Sequence, residues 1–167
     1  MKLLAFITLL AASLSFTSCQ KENVTAVANN YYMKARKNDK AWTALNLTSL
    51  KKTGNDTLTL KAQAIPEGST LPDETLIITL KANDEGQYQP IRAKTAYITT
   101  LGMDVVTNTY VLTNEAANTI TITDLDEDDK TVKGSFNLKF KNANPKAPAT
   151  DVITFKSGDF FSNIMYQ

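Results

Sequence analysis

The sequence predicts an all-β domain: a single antiparallel β-sandwich or β-barrel of roughly nine to ten strands, set behind an N-terminal leader and a short tether. Three observations predict it. Apolar and polar residues alternate at period two through most of the chain, and helical stripes are scarce. β-branched and aromatic residues dominate those runs, as a pleated surface favours. Clusters of Asn, Asp, Gly and Pro separate the runs at short intervals.

Taken in order, the first expected pair is Tyr32–Lys37 with Ala41–Leu50, joined by a tight turn centred on Asn38 and Asp39. Both turn residues tolerate positive φ better than most, so a hairpin fits. "TLTLKA" then puts Leu58 and Leu60 inward, and "TLIITLK" does the same with Leu76, Ile78 and Leu80. "NTITIT" sets Ile120 and Ile122 opposite Thr119, Thr121 and Thr123. The clearest alternation is "TVKGSFNLKF". Val132, Gly134, Phe136, Leu138 and Phe140 fall on one face, and Lys133, Ser135, Asn137 and Lys139 on the other. "DVITFKSGDFFSNIMY" reads as two strands, or one strand bent at Gly158. Turn signals stand at Gly54-Asn55-Asp56, Pro66-Glu67-Gly68, Asn83-Asp84-Glu85-Gly86 and Asp128-Asp129-Lys130. "KNANPKAPAT" is a loop, because its prolines cannot join a ladder. No helix and no internal repeat is expected.

The N-terminus has a different character. "MKLLAFITLLAASLSFTS" carries Lys2 and then an apolar run to about Phe16. As a helix rising ~1.5 Å per residue this run reaches roughly 21 Å, short of a ~30 Å bilayer core. A short basic start, an apolar middle and small residues at the end mark a secretory leader rather than a membrane span. Thr17-Ser18-Cys19 resembles the lipobox of bacterial lipoproteins, with Phe16 where Leu is usual. In such proteins the cysteine is lipidated and becomes the new N-terminus. Cys19 is the only cysteine, so no intrachain disulfide is possible. One acyl chain binds a membrane only marginally, whereas several hold permanently. The polar stretch after Cys19 reads as a tether spanning roughly 18 Å on average. The expected organisation is therefore leader 1–18, lipidated Cys19 and tether 19–30, and β-domain 31–167.

Composition removes several function classes. The 18 Lys and Arg against 17 Asp and Glu give a net charge of +1, and Lys2 leaves with the leader. No basic field draws nucleic acid. The chain has no histidine, the commonest general base and metal ligand. With Cys19 committed to lipid, no cofactor, zinc, haem or iron–sulfur site is expected. A nucleophile would need an adjacent oriented base, and only carboxylate pairs or a Ser-Lys pair remain for that. Asp73-Glu74 and Asp84-Glu85 stand at strand ends and are expected to face water.

"EGQYQP" (Glu85–Pro90), "VKGSFNLKF" (Val132–Phe140) and "ITFKSGDFFSNI" (Ile153–Ile164) together resemble a family of uncharacterised Bacteroidetes lipoproteins. The matching positions are Gly86, Tyr88, Tyr97, Gly134 to Phe136, Thr154, Gly158 and Phe160. "KARKNDKAW", with Trp42, resembles the family's opening, although Asp39 stands where Gly is usual. The resemblance implies a β-rich lipoprotein domain and brings no activity with it. "CQKEN" further resembles the Lys-plus-acidic export signal of Bacteroidetes surface lipoproteins.

Few residues invite a site. Asp124, Asp126 and Asp128 in "DLDEDDK" have the spacing for a weak cation site, but an EF-hand would need Gly and Glu where Asp129 and Ser135 stand. The plain alternative is a solvated hairpin loop. Asp56-Thr57-Leu58 resembles the acceptor pattern of Bacteroidetes O-glycosylation, which marks Thr57, or else simply starts a strand. Trp42 with Tyr31, Tyr32, Tyr88, Tyr97 and Tyr110 suits either a sugar-stacking platform or the core, and the core is the commoner fate of a lone Trp in an alternating strand. The reading is a non-enzymatic lipoprotein, monomeric and anchored to the outer membrane, that binds glycan, peptide or protein. The rivals are a structural or adhesive surface protein and a calycin-like carrier of an apolar ligand.

Overall fold

In the computed structural model, residues 31–167 are described. The leader, Cys19 and the tether lie outside the described residues. Alternation governs the strands of the domain. The strands are β1 (Tyr32–Lys37), β2 (Lys40–Thr43), β3 (Asn46–Lys52), β4 (Thr57–Ala64), β5 (Glu74–Lys81), β6 (Gly86–Tyr88), β7 (Ala96–Leu101), β8 (Val105–Leu112), β9 (Thr119–Asp126), β10 (Thr131–Asn142) and β11 (Val152–Tyr166). A single 3-10 turn, Arg92–Lys94, precedes β7. The inward residues named from period two (Leu58, Leu60, Leu76, Ile78, Leu80, Ile120, Ile122, Val132, Phe136, Leu138 and Phe140) are all buried.

The strands form one 11-stranded sheet in the order β2-β1-β11-β3-β4-β5-β7-β8-β10-β9-β6, with β10 also paired to β11. That extra pairing closes a ring through β3, β4, β5, β7, β8, β10 and β11. One layer therefore reads β2-β1-β11-β10-β9-β6 and the other β3-β4-β5-β7-β8. The long strands β10 and β11 pass from the first layer to the second. β10 pairs with β9 over Thr131–Asn137 and with β8 over Phe140–Asn142. β11 pairs with β1 over Phe155–Phe161 and with β3 over Ile164–Tyr166. The β3–β11 seam is parallel, the one departure from the antiparallel expectation among the described residues. Buried Ser49 and Ser162 bond to each other across it at 2.6 Å.

One detail differs from the expected element list. The stretch expected as one strand, Ala41–Leu50, is divided into β2 and β3. Ala44 N donates to Met33 O on β1 while Leu45 N donates to Gln63 O on β4, so neighbouring amides commit the chain to different layers. The C-terminal run is one strand, the second of the two expected alternatives, with its irregularity one residue before Gly158. Ser157 takes φ 49, and the ladder slips between Phe136 and Leu138. Asn137 Oδ1 accepts the Ser157 N–H at 3.0 Å and fixes this bulge. Next to it, Gly134 lies opposite Phe160 and Gly158 opposite Phe136. Each glycine gives its space to the facing ring: a Cβ on Gly158 would sit 2.5 Å from the Phe136 ring, and one on Gly134 2.7 Å from Phe160 Cζ.

The core is filled from both layers. Phe155, fully buried, has ring centroids of Trp42 at 5.2 Å, Tyr97 at 5.4 Å, Phe140 at 6.0 Å and Phe136 at 6.5 Å around it. Trp42, Tyr97 and Phe140 meet it edge-on, the geometry that aromatic quadrupoles prefer.

Candidate functional site

β5 reads Glu74, Leu76, Ile78, Leu80 along one face, so period two turns Glu74 inward with the leucines. The structure buries it, contrary to the expectation that Asp73 and Glu74 face water. Glu74 Oε2 accepts the indole N–H of Trp42 at 2.7 Å, and Oε1 pairs with Lys37 Nζ. Lys37 Nζ also donates to Tyr97 Oη at 3.2 Å. Both carboxylate oxygens are therefore occupied, and the buried charge is matched by a cation and an N–H, as burial requires. Burial and then the nearby Glu74 carboxylate push the Tyr97 phenol well above its ordinary value. The signal for Glu74 was present in the sequence as the parity it shares with Leu76, and that for Lys37 as the parity it shares with Met33 and Ala35. End-of-strand position was the weaker guide.

Lys37, Trp42 and Glu74 of this cluster line the floor of an open cleft of about 530 Å³. β2 forms one wall and the segment Ile65-Pro66-Glu67 the other. An exposed ion pair, Lys40 Nζ to Glu67 Oε2 at 2.8 Å, spans the mouth. The cleft opens at one end of the double layer. Asn46 pairs with Gln63, Ala64 with Glu74 and Glu74 with Thr99, so the β2–β3, β4–β5 and β7–β8 connections emerge together. Those connections and their flanks carry exposed Leu45, Ile65, Leu71, Leu101, Met103 and Val105. Asp73 holds the β7–β8 turn: its Oδ1 accepts Met103 N–H at 2.7 Å and Thr100 Oγ1–H at 3.0 Å. The Met103 N–H, assisted by Thr100 and against the effect of burial, holds the Asp73 carboxyl below the usual range.

The other sequence candidates lie elsewhere. Thr57 is half-buried at the first position of β4, and its N–H bonds to Asn55 Oδ1 at 3.1 Å. Asp124 and Asp126 lie on β9, and Asp128 is in the following turn, exposed. The carboxylate of Asp126 accepts the Asp129 N–H at 2.8 Å. Among the described residues no group of three or more His, Cys, Asp or Glu side chains is placed to hold a metal ion, so the structure does not bring these three together. The acidic run has a structural partner instead. Glu127 pairs at 2.7 Å with Lys51, a lysine almost wholly buried on β3. Trp42 is in the core, with Tyr97 and Tyr110, while Tyr31 and Tyr32 are half-buried. Tyr31 meets Phe161 edge-on at 5.3 Å.

A family described as a domain of unknown function, DUF6252, matches residues 29–163. The chain belongs to that family. The DUF6252 match runs from just before β1 into the last strand, so the family's unit takes in the double layer and its cleft. No curated protein and no solved structure matches the chain. The expected kinship with an uncharacterised β-rich family is thus established at the level of the domain.

Proposed function

We propose that this DUF6252 chain is a bacterial lipoprotein, held to the outer membrane by acyl chains on Cys19, whose β-domain is a non-enzymatic accessory binding module for glycan, peptide or protein. The leader, the lipobox-like Thr17-Ser18-Cys19 and the resemblance to Bacteroidetes lipoproteins support the anchor. The rim cleft carries the binding half of the proposal. It is concave and of ligand size, with an aromatic ring beside it and polar groups converging on its floor. The filled core directs a ligand to this rim and away from the interior, where a calycin-like carrier would hold one. The Glu74 oxygens are both engaged, so the cluster holds Trp42 in place and offers no free base for catalysis.

The anchor is tested by metabolic palmitate labelling of the wild-type chain and of Cys19→Ser. Label on the first and none on the second, with loss of membrane fractionation, is expected. Unlabelled wild-type protein refutes the anchor. The binding half is tested by a thermal-shift screen of the full chain against glycans and peptides, since a ligand of the native state raises stability by mass action.

A further inference from the structure

We infer that the cleft takes an extended, uncharged peptide segment, which adds to the free edge of β2 as a further strand. This rests on the binding-module reading above and names the class of its ligand. β2 is the end strand of its layer and pairs with β1 alone. Opposite residues in an antiparallel ladder alternate between hydrogen-bonded and non-hydrogen-bonded pairs. Ala44 N donates to Met33 O, which fixes the phase. Trp42 opposite Ala35, and Lys40 opposite Lys37, therefore turn their main-chain groups toward β1. Ala41 and Thr43 turn theirs outward, and both residues line the cleft. Two N–H and two C=O groups with strand spacing match the main chain of an extended peptide, as in other strand-addition complexes. A lipid surface or a compact ion offers no such ladder.

The charges in the cleft narrow the class. Lys37 is matched by Glu74 and Lys40 by Glu67, so a charged occupant finds no unmatched partner. The Lys40–Glu67 pair is fully solvated and opens at little cost. Side chains of an added strand that point inward meet Ile65 and Pro66, and those further along the rim meet exposed Leu45. An uncharged segment with apolar residues at alternate positions satisfies all of these conditions.

Trp42 is the only tryptophan in the chain, so its emission reports this site alone. The test uses the full chain in a sugar-free nonionic detergent. It is titrated with three probes: an acetylated, amidated Thr-Val-Thr-Val-Thr-Val peptide, the same peptide N-methylated at every residue, and the neutral oligosaccharide cellohexaose. The parent peptide is expected to change Trp42 emission saturably, and the methylated one to bind at least tenfold more weakly. Thr43→Pro, which removes an outward N–H and leaves the β1 ladder intact, is expected to weaken the parent peptide tenfold or more. Amide exchange at Ala41 and Thr43 should slow on saturation in the wild-type chain. Equal binding of the parent and methylated peptides overturns the strand-addition inference. A response to cellohexaose and none to the peptide also overturns it, and leaves the binding cleft standing. Silence from all three probes counts against both.

Discussion

Replacing Glu74 with alanine removes the acceptor that Trp42 and Lys37 share, and the cost can be worked from the geometry. Breaking a buried ion pair by deleting one partner costs about 3–5 kcal/mol when the survivor stays buried. Lys37 keeps 23% of its side chain exposed and can swing its ammonium toward water, which cuts that figure. The Trp42 N–H has no such escape, because the ring is packed edge-on against Phe155. A buried donor left without an acceptor costs about 1–3 kcal/mol. Glu74→Ala should therefore destabilise the domain by about 2–4 kcal/mol. Glu74→Gln retains an amide oxygen for the indole N–H and should cost only about 1–2 kcal/mol. Trp42→Phe removes the donor, and combined with Glu74→Ala should show a coupling energy above about 1 kcal/mol. Urea unfolding of the four variants and the wild-type chain, followed by far-UV circular dichroism, measures all of this. A cost below about 0.5 kcal/mol for Glu74→Ala, or equal costs for Ala and Gln, would refute the assigned role of the carboxylate.

Gly134→Ala should cost at least about 2 kcal/mol in the same assay, because the added methyl meets Phe160 and a backbone carbonyl; shortening the ring with Phe160→Leu should recover part of that loss. Glu127→Gln should cost about 1–2 kcal/mol, since it leaves buried Lys51 without its anion, whereas Asp128→Asn in the same turn should stay within about 0.5 kcal/mol. The Tyr97 phenol ionises at higher pH in the folded chain than its ordinary value of 10.0, so the unfolded state loses the proton first. The contribution of this phenol is fully present below pH 10 and should fall above it by up to about 1.4 kcal/mol per pH unit, and Tyr97→Phe should remove the largest share of that slope in alkaline thermal melts. Asp73 has the opposite sign: its folded carboxyl ionises below its ordinary value of 3.8, so its contribution is present above that pH and lost as the pH falls further. Asp73→Asn should flatten the stability profile below about pH 4.

Most of this architecture was legible because one face of each strand is buried, and period two then assigns every residue to a side. The inward sets of β4, β5, β9 and β10 could be named residue by residue on that ground. Two features were hidden because they depend on distant partners. Nothing near Ala44 and Leu45 shows that their amides turn to Met33 and Gln63, so β2 and β3 read as one strand. The parallel seam between β3 and β11 joins segments more than a hundred residues apart and needs only a few residues from each. The candidate site was half legible. Trp42 was visible as a core residue, and Glu74 carried the inward parity, but the rule that charges sit at wet strand ends overrode the pattern. That rule fails where a carboxylate finds a fixed N–H donor and a cation within reach, as Glu74 does in Trp42 and Lys37.

The two ends of the sheet show why a docking edge can persist in a protein expected to remain a monomer. A long free strand edge invites pairing between copies, and proteins counter this with short, charged or covered edges. β6, at one end, is only Gly86–Tyr88. β2, at the other, is Lys40–Thr43, begins on a lysine, and the chain turns away from β1 after Ala44. An edge this short gives a second copy too little ladder to propagate a sheet. It still offers the Ala41 and Thr43 groups to a single segment that fits between β2 and Ile65–Glu67. Under the proposed strand addition, rigidity is what would make so short an edge selective. The Asn38–Asp39 turn, with φ 47 and 64, closes one end, and Trp42 is fixed beneath by Glu74 and Phe155. A ligand then meets a surface already in its bound form, and less of its interaction energy is lost to ordering the protein. On this argument the buried Glu74 cluster serves recognition by preorganising β2, so Glu74→Gln should weaken peptide binding by more than its small effect on stability would suggest.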